Sequence, residues 1–253
     1  MGITYRGAKI VAATGMLGVV SVAGADVILN PDFVVTSTAT TAAARYRMSN
    51  TNWDTFIGTS SVVSVATTVQ NANIGNDVSL NNVSMTFGLT YTAGSGYRWA
   101  ISNGVTTSTM SWQAIHTDGS SPTTAFNAIS LSLIAGTSMP GGVTAASASA
   151  RNLTFSFVGG GPSVTGSLRD LTSSWSAGVS TGLDRIVIFS DTNLANNSWT
   201  LTGNVLMSYT GTPSGSLDER LKFDVNTMAA IPQPASLAAF GLVAVLSQRR
   251  TRR

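Results

Sequence analysis

The chain of 253 residues has no cysteine, which removes zinc-thiolate centres, iron-sulfur clusters, disulfide frameworks and cysteine nucleophiles from consideration. Histidine occurs once, at His116, so a multi-histidine metal site cannot form. Glutamate also occurs once, at Glu219, and a glycosidase-type carboxylate pair would have to come from aspartates that mostly stand in turn-forming sequence. Charged residues make up only 10% of the chain against 43% hydrophobic, and mean hydropathy is +0.22, unlike charge-rich disorder. The length suffices for one large β domain with its own core.

A net charge of +3, from 14 basic and 11 acidic side chains, looks at first like a nucleic-acid binder. The distribution argues against it. Arg6 and Lys9 lie near the N-terminus and Arg249, Arg250, Arg252 and Arg253 at the other end, so residues 26–230 keep eight basic against eleven acidic groups. A mildly acidic body with scattered arginines offers no stripe to follow a phosphate backbone.

Each end reads as an address. Arg6 and Lys9 precede an apolar run from Ile10 to Val22, then Ala23-Gly24-Ala25 and Asp26. These are the three parts of a secretory signal peptide, with small residues at Ala23 and Ala25 for signal peptidase and Asp26 as the expected mature start. At the other end, Ile231-Pro232-Gln233-Pro234 is followed by an apolar stretch from Ala235 to Leu246 and by the arginine cluster. A helix over 235–247 is about 20 Å long against about 30 Å of hydrocarbon, so it crosses the inner membrane only marginally, with the arginines reaching the headgroups. Basic ends stay cytoplasmic, which puts the body outside.

This tail resembles the PEP-CTERM sorting signal of exported bacterial proteins: a Pro-Glu-Pro motif, a short hydrophobic helix and a terminal arginine cluster. Pro232 and Pro234 match the motif's prolines, Gln233 stands where glutamate is usual, and Pro234-Ala235-Ser236-Leu237 matches the usual continuation. The resemblance covers about 23 residues, 231–253. It implies recognition by a membrane exosortase, a transient or retained C-terminal membrane anchor, and residence in a cell envelope or extracellular matrix containing polysaccharide. Tails of this kind have also been labelled a terminal segment of ice-binding proteins.

The body is rich in serine and threonine, 33 of each, with 16 asparagines, a mixture that favours strands and turns. Met85, Phe87, Leu89 and Tyr91 alternate with small or hydroxylated residues, as do Leu153, Phe155 and Phe157; Ile129, Leu131 and Leu133; and Trp199, Leu201, Val205, Met207 and Tyr209, with Gly203 in the open slot. Ile186-Val187-Ile188-Phe189 is apolar throughout, as in a strand covered on both faces. Turn signals such as Asn81-Asn82, Ala93-Gly94-Ser95-Gly96 and Gly159-Gly160-Gly161-Pro162 separate these runs. The expectation is an all-β protein: a signal peptide over 1–25, a single antiparallel, jelly-roll-like β-sandwich over 26–230, and the sorting signal over 231–253, with helices only at the two ends. Residues 36–44 and 143–150 read as long loops, and Asn50–Phe56 as a short helical piece.

Candidate chemistry in the body is sparse. His116 ends a strand over Met110–Ile115 and, with Asp118, could orient as a base, but no Gly-x-Ser-x-Gly elbow completes a hydrolase site. Asp184 and Asp191 bracket the apolar strand and are the candidates for a polysaccharide hydrolase or lyase. Asp191-Thr192-Asn193 offers oxygens for calcium without the rest of an EF-hand loop; otherwise no cofactor or metal is expected. Asp218-Glu219-Arg220 reads as a solvated turn. Trp53 and Trp175 stand in polar sequence and are the candidate platforms for a sugar ring, whereas Trp99, Trp112 and Trp199 fall on apolar parity. Thr-x-Thr pairs at 90/92, 107/109, 200/202 and 210/212 suggest an ice or crystal surface only if they align, and their spacing in sequence is irregular. The expected role is a non-catalytic envelope or matrix module associated with extracellular polysaccharide. Its processing partners are signal peptidase and an exosortase-like enzyme, with an enzyme acting on polysaccharide or an ice binder as alternatives.

Overall fold

A computed structural model describes residues 27–29, 34–49, 52–58, 70–76, 80–112, 125–176, 178–215, 217 and 219–233. The described residues form fifteen strands: β1 (Val27–Leu29), β2 (Val34–Ser49), β3 (Asn52–Gly58), β4 (Gln70–Asn76), β5 (Val83–Thr92), β6 (Gly96–Ser102), β7 (Thr107–Trp112), β8 (Ala128–Ala135), β9 (Val143–Phe157), β10 (Val164–Thr165), β11 (Leu171–Ser176), β12 (Val179–Ser180), β13 (Gly182–Ser190), β14 (Trp199–Gly211) and β15 (Leu221–Gln233). One 3-10 turn, Leu194–Asn196, joins β13 to β14. The strands form an eight-stranded sheet in the order β10-β1-β13-β8-β15-β2-β3-β4 and a seven-stranded sheet in the order β12-β11-β9-β14-β5-β6-β7. Every pairing is antiparallel except β1 with β10, a two-residue parallel contact that departs from the wholly antiparallel expectation.

The all-β architecture follows from the alternation. In β5 the apolar residues Met85, Phe87, Leu89 and Tyr91 are buried while Ser84, Thr86 and Thr92 are exposed. The inner faces of the two sheets meet in one core, where Phe87 of the second sheet lies 4.8 Å from Phe223 of the first. Tyr91, Tyr97, Phe126 and Trp199 pack together at one end with centroid separations from 4.8 to 6.4 Å. Each such side chain contributes about 1.5–3 kcal/mol on burial. The two hydroxyls are bonded, Tyr91 Oη donating to Ala195 O at 3.1 Å and Tyr97 Oη sharing a 3.1 Å bond with Thr227 Oγ1, while the buried Trp199 indole Nε1 has no hydrogen-bond partner among the described residues.

Three local expectations are corrected. Residues 36–44 belong to β2 and residues 143–150 to β9. Both are runs of Ala, Ser and Thr, in which the inward Ala146, Ala148 and Ala150 differ too little in hydropathy from the outward serines to mark a period of two. Of the helical piece expected at Asn50–Phe56, residues 52–56 are described and belong to strand β3, where Trp53, Thr55 and Ile57 point into the core and Asp54 and Phe56 away from it. The signal sequence, including Ala23, Ala25 and Asp26, and the tail from Pro234 through Arg249, Arg250, Arg252 and Arg253 lie outside the described residues. Among the described residues no helix is long and apolar enough to cross a membrane. The last strand runs to Gln233, so Pro232 and Gln233 are sheet backbone opposite Val35 and Val34. Beyond Met228, β15 has β2 alone as its neighbour, a position where a proline without an N–H is tolerated.

Candidate binding face

The outer face of the second sheet is a lattice of hydroxyls. Pairing across β7, β6, β5, β14 and β9 aligns Ser111, Arg98, Thr90, Thr200 and Ser156 in one row. The next rows are Thr109, Ala100, Gly88, Thr202, Thr154 and then Thr107, Ser102, Thr86, Asn204, Arg151. The lattice continues through Ser84, Leu206, Ser149 and Thr172, and through Ser208, Ser147 and Ser174. Rows repeat at about 6.7 Å along the strands and columns at about 4.8 Å between them. Of the Thr-x-Thr pairs, Thr90 and Thr200 share one row and Thr109 and Thr202 the next, whereas Thr92 faces Gly96, Thr210 faces Ala145 and Thr212 lies past the end of β14. Some hydroxyls bond each other, Ser156 Oγ to Thr200 Oγ1 at 3.0 Å and Ser147 Oγ to Ser208 Oγ at 2.8 Å, and each still has capacity to donate or accept.

A β-bulge interrupts the lattice. Thr154 pairs with Thr202 and Arg151 with Asn204, so Asn152 and Leu153 together oppose Gly203. Asn152 has φ 54, the left-handed conformation that asparagine tolerates better than most residues. A side chain at Gly203 would lie 2.7 Å from Leu153 Cδ2 and 2.8 Å from Phe87 Cε1, so any larger residue there must displace these side chains. The extra residue reverses the parity of β9: Ala150 and Ala148 turn inward, and Arg151 joins the hydroxyl face. Beside it is a recess of about 250 Å³ lined by Ser84, Ser149, Arg151, Asn152, Asn204 and Leu206. Arg98 and Arg151 are the only charged residues on any strand of this sheet. Both are exposed, and neither makes a hydrogen bond or ion pair with a described residue.

The outer face of the first sheet handles charge differently. Arg45 is 2% exposed and is held by Asp224 through Nε and, at 3.1 Å, Nη2, while its guanidinium lies 5.2 Å from the Phe56 ring centroid. Arg47 bonds Asp54 Oδ1 at 3.1 Å. Glu219 joins these pairs: it accepts from Arg45 Nη1 at 2.7 Å, from Arg47 Nη1 and from Lys222 Nζ. Its φ of 60 in the turn closed by Arg220 N–H on Leu217 O directs it there. Partial burial pushes the Glu219 carboxyl up, but the Lys222 hydrogen bond and the charges of Arg45, Lys222 and Arg47 outweigh this and hold it below the ordinary value. Glu219 is thus both the exposed turn residue expected from sequence and a bridge to Arg45 and Arg47 on β2, which the sequence did not show.

The sequence candidates do not assemble. Trp53 is fully buried and stacked on Tyr46 at 5.1 Å, so it presents no face to a sugar; the polar letters around it are the outward half of β3. Trp175 is half-buried against the core with its indole Nε1 enclosed and unbonded. Asp184 is committed to Arg169, with oxygens 2.7 and 3.0 Å from its guanidinium, and to Thr172 N–H at 2.8 Å. Burial raises its pKa, and these bonds together with the Arg169 charge lower it further, to below the ordinary value. Asp191 lies past the other end of β13, about 23 Å away. In the possible calcium loop, Asn193 Oδ1 already accepts from Phe126 N–H at 3.2 Å and Ala195 N–H at 3.0 Å, leaving Asp191 as the one carboxylate of the trio. No group of three or more His, Asp or Glu able to hold a metal occurs among the described residues. His116 and Asp118 lie outside them. Arg98 and Arg151 were not singled out from sequence; the available signal was a lone cation on the outward parity of each strand, after Ser147 and Ser149 for Arg151 and between Gly96 and Ala100 for Arg98. The chain matches no protein-family model and no curated protein sequence.

Proposed function

We propose that this chain is an exported, non-catalytic surface module, a jelly-roll-like sandwich that meets extracellular polysaccharide through the hydroxyl face of its second sheet. Delivery rests on the signal sequence ending at Ala25, and sorting on the PEP-CTERM-like tail from Ile231, with signal peptidase and an exosortase-like enzyme as processing partners and the inner membrane as a transient station. The observation that carries the binding role is the register of Ser111, Thr90, Thr200 and Ser156 and of the rows beside them, a broad array of groups that each donate and accept, complementary to a polyol. The wide separation of Asp184 and Asp191, and the commitment of Asp184 to Arg169, favour binding over hydrolysis or lysis.

An ice- or crystal-surface role is the second reading, favoured by the same rows. The bulge at Asn152 and the two arginines break the regularity that a crystal lattice demands. Three measurements separate these readings. Terminal peptides of the protein from its native host should begin at Asp26 and end near Pro232-Gln233-Pro234; retention of Arg253 in the membrane fraction would refute processing. The host's own polysaccharide should bind with loss of affinity in Thr200→Lys, which places a long charged chain in the centre of the rows. Thermal hysteresis without glycan binding would replace this reading by the ice-binding one.

A further inference from the structure

We propose that the bulge on β9 builds an anion subsite into the hydroxyl face, and that the glycan taken there is acidic, carrying carboxylate or sulfate groups at intervals; this rests on the polysaccharide reading above and specifies its ligand. Strict alternation from Thr154 would put Arg151 inside the sandwich. The inserted residue turns it out, at the cost of a left-handed Asn152, opposite a Gly203 whose missing side chain leaves room for Leu153 and Phe87. That backbone arrangement gives Arg151 no ion pair or hydrogen bond with any described residue. It gives the guanidinium a recess of about 250 Å³ instead. Asn152 and Asn204 add amide donors to that recess, Ser84 and Ser149 add hydroxyls, and no acid lines it. The planar fork of arginine suits the oxygens of a carboxylate or sulfate, and the neighbouring donors complete the set.

No strand of this sheet carries Asp or Glu, so an approaching anion meets no repulsion from the face itself. Arg98 offers a second contact three strands away and two rows along, about 20 Å from Arg151, with threonines and serines between. Charges so sparse do not match a nucleic-acid strand, which presents a phosphate about every 3.4 Å, and the rows contain no aromatic ring for base stacking. They match a polyol chain with intermittent acids.

The test is equilibrium binding of the full-length chain to polygalacturonate and to its fully methyl-esterified form, which keeps the backbone and loses the charge, with an oligo(dT) control. The charged polymer should bind more tightly, with affinity falling as salt rises. Arg151→Gln and Arg98→Gln should each weaken it by about threefold to fivefold and leave binding to the ester unchanged. Unchanged melting curves would show that both variants fold. Equal binding of the two polymers, insensitive to either variant, would overturn the anion subsite and leave the polysaccharide reading standing. Preference for the charged polymer without an effect of Arg151→Gln would overturn its placement in the bulge. Binding to neither polymer would overturn both proposals, and tighter binding to oligo(dT), lost in the same variants, would make a nucleic acid the occupant.

Discussion

The strands of the first sheet carry seven charged residues, Arg45, Arg47, Asp54, Asp184, Arg185, Lys222 and Asp224, and each has a partner: ion pairs for six of them and, for Arg185, a 2.7 Å bond from Nε to Ser130 Oγ. The strands of the second sheet carry two, Arg98 and Arg151, with no partner among the described residues. Burial accounts for the pairing of Arg45, Arg47, Asp54 and Asp224, which are 2–8% exposed. On the outer side of the first sheet, Phe56 is 0% and Arg45 2% exposed, and a desolvated charge persists only when paired. On the outer side of the second sheet the arginines stand in water, where pairing yields little and a free guanidinium remains available to a ligand.

The contrast can be broken most severely at Arg45. Arg45→Met leaves the buried Asp224 carboxylate with Lys222 Nζ, at 3.7 Å, as its one remaining cationic partner among the described residues, and urea unfolding should show a loss of about 3–5 kcal/mol. Adding Asp224→Leu should recover most of it, since a buried pair replaced by apolar groups of similar volume is often neutral or stabilising.

Next in size is Asn152→Val, which forces a β-branched residue into the left-handed conformation and should cost about 1–2 kcal/mol in thermal melts. Asn152→Gly should be close to neutral. A strong effect of the glycine variant would mean that the carboxamide, not the backbone, holds the bulge.

A smaller effect is expected at Glu219. Its carboxyl is held below the ordinary value of 4.5, so the stability it contributes is fully present above that pH and is lost as pH falls through the lowered value. Glu219→Gln should therefore flatten the acid limb of the stability curve while changing little of its slope above pH 6. Its side chain is 48% exposed, so water screens the contribution and added salt should shrink it further. The smallest change in stability, within about 0.5 kcal/mol, is expected for Arg98→Gln and Arg151→Gln, the two variants for which the largest change in binding is expected.

What could be read from the sequence follows hydrophobic contrast. β5 and β14 were legible because Phe, Leu, Tyr and Trp alternate with Thr and Ser, and their aromatic core is where that alternation put it. β9 was not, because alanine against serine carries little contrast and the bulge at Asn152 shifts its parity halfway along. The hydroxyl face was half legible: each Thr-x-Thr pair showed an outward side, but only register could show that Thr90 meets Thr200 and that Thr109 and Thr202 share a row. The exposed turn at Glu219 was legible, but its ion pairs were not, because Arg45 and Arg47 are 174 and 172 residues away and no local pattern reports an ion pair across that distance.

The strand that leads into the tail is fifth of eight in its sheet, flanked by β2 along its length and by β8 as far as Met228. A molecule tethered at its C-terminus and gripped at the opposite face would receive load along the axis of β15. Both ladders would then resist in shear, many bonds together, instead of opening one at a time from an edge. The tether would pull on the middle of the sheet, so the rate of forced unfolding would be set by the most enclosed part of the molecule.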